Sequence, residues 1–356
     1  MGGVTAFGIL ILPFLTLIII QSSTEGATPA DLQREINLRN SDGPYIGVVI
    51  PNLFEMNPLL HSPSFLAEFP YIDFGGRRFR FGTIEGKKVI LVMTGLGMIN
   101  AGIATQMLLD LFNVEGIVHY GTAGNANPSL NIGDVTIPQF WAHTALWNWQ
   151  RYGDGPEDQL SLEADGDYTR EIGYLNFSNY TTDAKLRNHD GNLLNSVWYQ
   201  PEEVFTVSGT PEERDHAFWV PVDSHYFELS KNLEGLNLES CLNSTTCLKP
   251  PPRVVTVHRG TSASIFLSNA AYRRFLREKF DVSPFDMESA SVALVCFQQR
   301  IPFIAMRALS NNPSVSPESI DASTFLPLSA ANAVRVVAEF INLLRSVKVV
   351  DVSVSH

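Results

Sequence analysis

Three short segments of this chain bring together residue types that could do chemistry on a small molecule. Asp286-Met287-Glu288-Ser289-Ala290 follows Ser283-Pro284 and carries two carboxylates at the expected start of a helix. A carboxylate there commonly does no more than compensate the helix dipole. Arg307-Ala308-Leu309-Ser310-Asn311 closes a strand that is apolar except for its last residue. An arginine in that place needs an anionic partner, either structural or a ligand. Gly121-Thr122-Ala123-Gly124 follows the strand Gly116–Tyr120. Glycine there lets the backbone come close to a ligand, and Thr122 offers a hydroxyl. Open parallel sheets bind ligands beyond the carboxyl ends of their strands, where all three segments fall.

The elements around these segments alternate between strand and helix. Tyr45–Ile50 is a β-rich run, and Arg78–Ile84 and Lys88–Thr94 form a hairpin through Glu85-Gly86. Asn100–Phe112 has apolar residues at helical spacing with Asn100 as an N-cap. Gly116–Tyr120 and Asp134–Ile137 read as strands with Gly121–Gly124 as a turn between them. Later come strand Arg253–Val257, helices Ser264–Phe280 and Asp286–Gln299, strand Ile301–Arg307 and a last helix over Leu328–Val347. This order predicts an α/β fold: a three-layer sandwich whose mixed, largely parallel, twisted central sheet has helices on both faces. The stretch 141–219 breaks the rhythm. It holds all five tryptophans and reads as an insertion on a core domain spanning 45–345. Its tryptophans either form a binding surface or pin the insertion to the body.

Composition narrows the function classes. With 25 Lys+Arg against 37 Asp+Glu the net charge is −12, and no basic run is present, so nucleic acid is not an expected partner. Ala6–Ile20 is an apolar run of signal-peptide length, too short to span a bilayer, followed by a polar stretch and small residues near Ala27. Residues 1–27 are therefore expected to be a secretory signal peptide, with no membrane association after cleavage. Pro13 and the wholly apolar circumference count against a buried N-terminal helix. Asn176, Asn179 and Asn243 each open a glycosylation sequon, which fits the same route. Cys241 and Cys247, six apart in a polar loop, could close a disulfide in an oxidising compartment. Cys296 sits in an apolar helical stretch and reads as a buried thiol. No Cys/His grouping has metal-ligand spacing, so neither a metal nor a cofactor is expected.

In their order and spacing, GTAG, DMESA and RALSN resemble the nucleoside phosphorylase/nucleosidase superfamily, which holds methylthioadenosine/S-adenosylhomocysteine nucleosidase and the uridine and purine phosphorylases. The leader and insertion look most like plant bark storage proteins and their phosphorylase-like relatives. The resemblance covers about 45–140 and 220–345, and it implies roles for matching positions. Glu55 stands where nucleosidases place a loop glutamate that activates the attacking water. Glu288 matches the glutamate that accepts from the ribose 2′ and 3′ hydroxyls, with Met287 packed on the sugar. Thr122 would lie near the sugar, and Ala123 and Gly124 under the purine. Ile265-Phe266 falls where an aromatic residue stacks on the base, either of the two being in register. Arg307 would serve the substrate site as its motif-anchored cation.

Two departures from the family pattern bear on mechanism. Asn311 stands where nucleosidases place an aspartate that protonates N7 of the leaving purine, and an amide has no proton to give. General acids contribute about 10²–10⁴-fold, so the resemblance implies purine recognition with slowed hydrolysis. Phosphorylases acting on 6-oxopurines also use asparagine near this place, so a changed base preference competes. His119 replaces the arginine that hexameric phosphorylases place before the GTAG-like turn, which ranks water above phosphate as the nucleophile. The expected partner is thus a purine base or nucleoside, with phosphate as a weaker possibility, in a homo-oligomer (dimer or trimer). N-glycosidic cleavage, phosphorolysis and storage with a relic pocket are the competing functions, and a vacuolar or extracellular location is expected.

Overall fold

The computed structural model describes residues 29–149, 172, 174–176, 196–311 and 320–353. The expected signal peptide and the sequon at Asn179 lie outside them, and the sequon opened by Asn176 extends beyond them. The strands are β1 (Tyr45–Ile50), β2 (Phe65–Phe74), β3 (Arg77–Ile84), β4 (Lys87–Met93), β5 (Val114–Asn125) and β6 (Val135–His143). Short strands β7 (Trp147–Trp149), β8 (Tyr174–Asn176), β9 (Ser196–Tyr199), β10 (Glu202–Val204), β11 (Asp215–Ala217) and β12 (Val220–Pro221) follow. The last three are β13 (Val254–Ser262), β14 (Val282–Asp286) and β15 (Phe303–Leu309). The helices are α1 (Pro29–Asp42), α2 (Leu53–Leu60), α3 (Met98–Leu111), α4 (Ser224–Ser230), α5 (Ala270–Phe280), α6 (Ser289–Gln299) and α7 (Ile320–Ser353).

Ten strands form one mixed sheet, parallel through its centre and antiparallel at its margins. β1 lies between β4 and β5, parallel to both, and β15 runs parallel to β5. The β2–β3–β4 meander supplies one antiparallel margin, and its β3–β4 turn has Glu85 and Gly86 at φ 49° and 75°. That is the left-handed pair a two-residue hairpin requires. At the other end the pairings run β5–β15–β6–β13–β14 and return to β5. These five strands therefore close into a ring.

Helices cover both faces of the sheet. Ile117 packs beside Leu108 of α3, while the neighbouring Gly116 backs onto Tyr226 of α4. Adjacent strand residues point to opposite faces, so α3 and α4 lie on different sides. α6 packs on α3, and Tyr226 meets Phe340 of α7 edge-on at 5.5 Å. β1 and β15 are buried at every position, as strands covered on both faces must be. α7 is apolar over Ser323–Ser346, long enough to cross a membrane, but 67% of its most apolar window is buried inside this fold.

Several boundaries differ from those expected. Gly121–Gly124 is no turn: β5 continues through it to Asn125, because Gly121, Thr122 and Ala123 pair with Arg307, Ala308 and Leu309. Ser264–Asn269 is not helical, since Asn269 caps α5 by accepting from the Tyr272 N–H at 2.9 Å. Asp286 ends β14 and does not open α6, whose first residue is Ser289. α3 is capped by Gly97 at φ 93° in place of Asn100, whose amide donates back to the Leu96 carbonyl. Trp141 belongs to β6, so the main sheet runs into the expected insertion from its start. Within it Trp147 and Trp219 pack with Tyr199, Phe218 and Phe280 as a second cluster.

Candidate active site

The three motifs meet at the ring. β5 carries Thr122–Gly124, β14 and the start of α6 carry Asp286–Ser289, and β15 delivers Arg307 and Asn311. A cavity of about 370 Å³ opens there, lined by Glu55, Thr122, Ala123, Gly124, Ile265, Phe266, Met287, Glu288 and Asn311. Every residue expected at the site is on its wall except Arg307. Leu96, Phe285 and Leu326 add apolar surface.

Glu55 is not in a loop but in the first turn of α2, and it is only 3% exposed. Asn52 caps the helix by accepting from the Glu55 N–H at 3.1 Å, and its own amide donates to Glu55 Oε2 at 2.9 Å. The other oxygen, Oε1, accepts from the Thr122 N–H at 2.6 Å and from Thr122 Oγ1 at 2.9 Å. Burial raises the Glu55 pKa, and the positive charge of Arg307 and the Thr122 bonds oppose that rise. A carboxylate fixed at both oxygens and kept basic by desolvation is a proton acceptor in a defined position.

Glu288 faces the same space and is equally buried. Its Oε1 accepts from the Gly97 N–H at 2.9 Å, and Oε2 lies 3.6 Å from Arg307 Nη2. Burial pushes its pKa up to about 7, with Arg307 pulling downward and Asp286 and Glu55 pushing further up.

Arg307 sits behind the wall, fully buried, with its donors engaged by the protein. Nε meets Asp286 Oδ2 at 2.7 Å and Ser289 Oγ at 3.0 Å, Nη1 donates to the Thr122 carbonyl, and Nη2 donates to His119 Nε2. His119 can accept because its Nδ1–H donates to the Val49 carbonyl at 2.8 Å. Burial and the neighbouring guanidinium hold its pKa well below the ordinary value, so the ring is neutral. Arg307 thus reaches a ligand only through Glu288 and the Thr122 peptide. Gly121 is what lets it in: a Cβ there would lie 2.3 Å from Nη1 and 2.8 Å from Glu55 Oε1. The close approach inferred for the GTAG glycines is an approach of the protein's own side chains, with Phe285 against Gly124 in the same way.

Asp286, read in sequence only as a helix-start charge, joins both partners of the site. Its Oδ1 accepts from the Glu288 and Ser289 N–H groups at 3.0 Å each and from Ser262 Oγ. Asn311 accepts at Oδ1 from the Asn125 N–H at 2.8 Å, which fixes its amide plane and leaves Nδ2 as its remaining donor. Ile265 and Phe266 both line the mouth, with Phe266 84% exposed. Asn52, Gly97 and Ser262 are supporting residues that motif reasoning did not assign, and His119, read there only as a replaced arginine, supports Arg307. Only Asn52 had a local signal, the helix-start spacing Asn52-x-x-Glu55.

The Phosphorylase superfamily profile matches residues 45–190 and 199–342. Bark storage protein A of Populus deltoides is 31% identical over 285 residues, covering 80% of this chain and 82% of that protein. The 5'-methylthioadenosine/S-adenosylhomocysteine nucleosidase of Psychromonas ingrahamii is 23% identical, covering 76% and 87%. Among solved structures, an aspartate-to-asparagine variant of the Helicobacter pylori nucleosidase, with 5'-methylthioadenosine in its active site, superposes at a TM-score of 0.54. It is 18% identical and covers 84% of this chain and 99% of its own.

Proposed function

The chain belongs to the phosphorylase superfamily, and from that premise we propose that it binds a purine nucleoside and cleaves its N-glycosidic bond with water. One observation carries the choice of water: the cavity wall bears Glu55, Asp286 and Glu288 and, among the described residues, no cation. A phosphate dianion would meet Glu55 and Glu288 there, while the one nearby cation among the described residues, Arg307, lies behind the wall paired to Asp286 and bonded to Ser289, the Thr122 carbonyl and His119. Water needs only a base.

In this reading Glu288 accepts from the ribose hydroxyls, and Glu55 takes a proton from water as its oxygen bonds to C1′. The C1′–N9 bond breaks with its electron pair going to the purine, through an oxocarbenium-like transition state. Asn311 Nδ2 donates to N7, steadying the departing base without protonating it; the proton comes from solvent. The leaving group is therefore poorer than in a site with a carboxylic acid, and turnover is slow.

A second reading, storage of amino nitrogen with an idle pocket, is favoured by the likeness to bark storage protein A together with Asn311. A secretory route, a vacuolar or extracellular location and a homo-oligomeric state belong to both readings. Incubating the purified protein with adenosine, methylthioadenosine and inosine, with and without phosphate, separates them. Phosphate-independent release of free base and free sugar is expected; a sugar 1-phosphate product would replace hydrolysis with phosphorolysis. No release from any nucleoside leaves storage.

A further inference from the structure

A second cleft, of about 560 Å³, opens at the far end of α5 from the cavity. Leu267 and Ser268 precede α5 and line the cavity, whereas Lys279 and Phe280 end it and line the cleft. Eleven helical residues, about 16 Å, separate the two. Phe218, Trp219 and Phe280 build an aromatic wall, with ring centroids of 5.2 Å for the first pair and 5.9 Å for the second. The Arg259 guanidinium lies 4.4 Å over the Trp219 ring, and its Nη1 donates to the Phe280 carbonyl. Its Nε is buried without an acceptor.

Among the described residues, neither Arg259 nor Lys279 has a carboxylate at ion-pair distance, and no acidic residue lines the cleft. Two described acids close to it are engaged elsewhere: Asp281 with Arg277 and His258, and Glu202 with His143. In a chain of net charge −12, two cations on one aromatic wall with no carboxylate partner among the described residues are out of character. Stacking also orders the guanidinium before any ligand arrives, which lowers the entropic cost of binding an anion.

We propose that this cleft is a second binding site, independent of the cavity, for a small aromatic carboxylate. The ring packs on Phe218 and Phe280 while the carboxylate meets Arg259 and Lys279. Titration of the full chain with 1-naphthoate by calorimetry at low salt tests it, alongside the uncharged 1-naphthalenemethanol. Saturable naphthoate binding is expected with Kd below about 1 mM, and at least tenfold weaker binding of the alcohol. Arg259→Gln and Lys279→Met should each weaken naphthoate by about tenfold, and Glu288→Gln should leave it unchanged. Lys279 is exposed, so its variant carries the test even if loss of Arg259 disturbs folding. Absence of saturation, equal affinity for the alcohol, insensitivity to Lys279→Met or sensitivity to Glu288→Gln would each overturn the site.

Discussion

At the scale of single residues, the electrostatics of Glu288 set a pH dependence. A carboxyl whose pKa rises to about 7 on folding holds its proton more tightly than the unfolded chain does, where the ordinary value is 4.5. The associated stability is fully present below 4.5 and is lost as pH rises through 7. Sugar binding runs the opposite way, because only the ionised carboxylate accepts from both hydroxyls. Nucleoside affinity should therefore climb from pH 6 to pH 8. In Glu288→Gln the climb should vanish and affinity fall by about one to two orders of magnitude, on a loss of roughly 1.5–3 kcal/mol for a charge-assisted bond. Free-base affinity should hardly change; an equal loss for base and nucleoside would remove Glu288 from the sugar. Asn311 supports a gain-of-function test. In Asn311→Asp the Asn125 N–H still anchors one oxygen, and the other becomes an acid facing the base. Burial and the nearby carboxylates keep that acid protonated at mildly acidic pH. Adenine nucleosides should then be cleaved up to about 10²-fold faster than by the parent. A shift from inosine to adenosine without net gain would assign Asn311 to base preference.

At the scale of elements, the site depends on where α2 begins. Asn52 is both the N-cap and the clamp on Glu55 Oε2, so Asn52→Ala removes two functions at once. Loss of the cap should cost about 1 kcal/mol in thermal unfolding. The freed carboxylate should lower turnover more than substrate affinity. Gly121→Ala should be harsher: its methyl has no room between Arg307 and Glu55, and overpacking of this kind costs about 1–3 kcal/mol. What the sequence disclosed follows the same division. Buried strands such as β1 and the Glu85-Gly86 hairpin were legible because hydrophobic runs and turn chemistry are local signals. α2 and β2 were not assigned, since Leu53–Leu60 is two turns with Pro58 inside and β2 carries Pro70 and exposes most of its residues. GTAG looked like a turn because local glycine suggests one. Pairing with β15, a partner some 180 residues away, makes it a strand. The expected cavity residues came from the order of the three motifs and from the family resemblance built on them, which also supplied Glu55 and Ile265-Phe266. The burial of Arg307 was not, because only the closed ring reveals that its partners are Asp286, Ser289 and His119.

At the scale of the whole molecule, the outer loops bear on the route the chain takes. Cys241 and Cys247 are joined in a disulfide that closes a six-residue separation, and the loop between them carries Asn243. Asn243 is exposed, and its side-chain oxygen accepts from the N–H groups of Thr245 and Thr246 and from Thr245 Oγ1. The sequon is thus presented as a tight polar turn on the surface, far in sequence from every cavity residue except those of β13 onward. Disulfides persist in oxidising compartments, and a sequon is used only by a chain that enters the same route. The two features therefore make one joint prediction. Protein from its native source should carry a glycan at Asn243, lost in Asn243→Gln, with Cys241 and Cys247 unreactive to alkylating agents until reduced. Cys296, buried with its thiol pKa pushed up by desolvation, should react only after unfolding. Intact mass and peptide mapping before and after glycosidase treatment read all three positions. A bare Asn243 with two freely alkylated cysteines would place the folded chain in a reducing compartment, and the secretory assignment would fall with it.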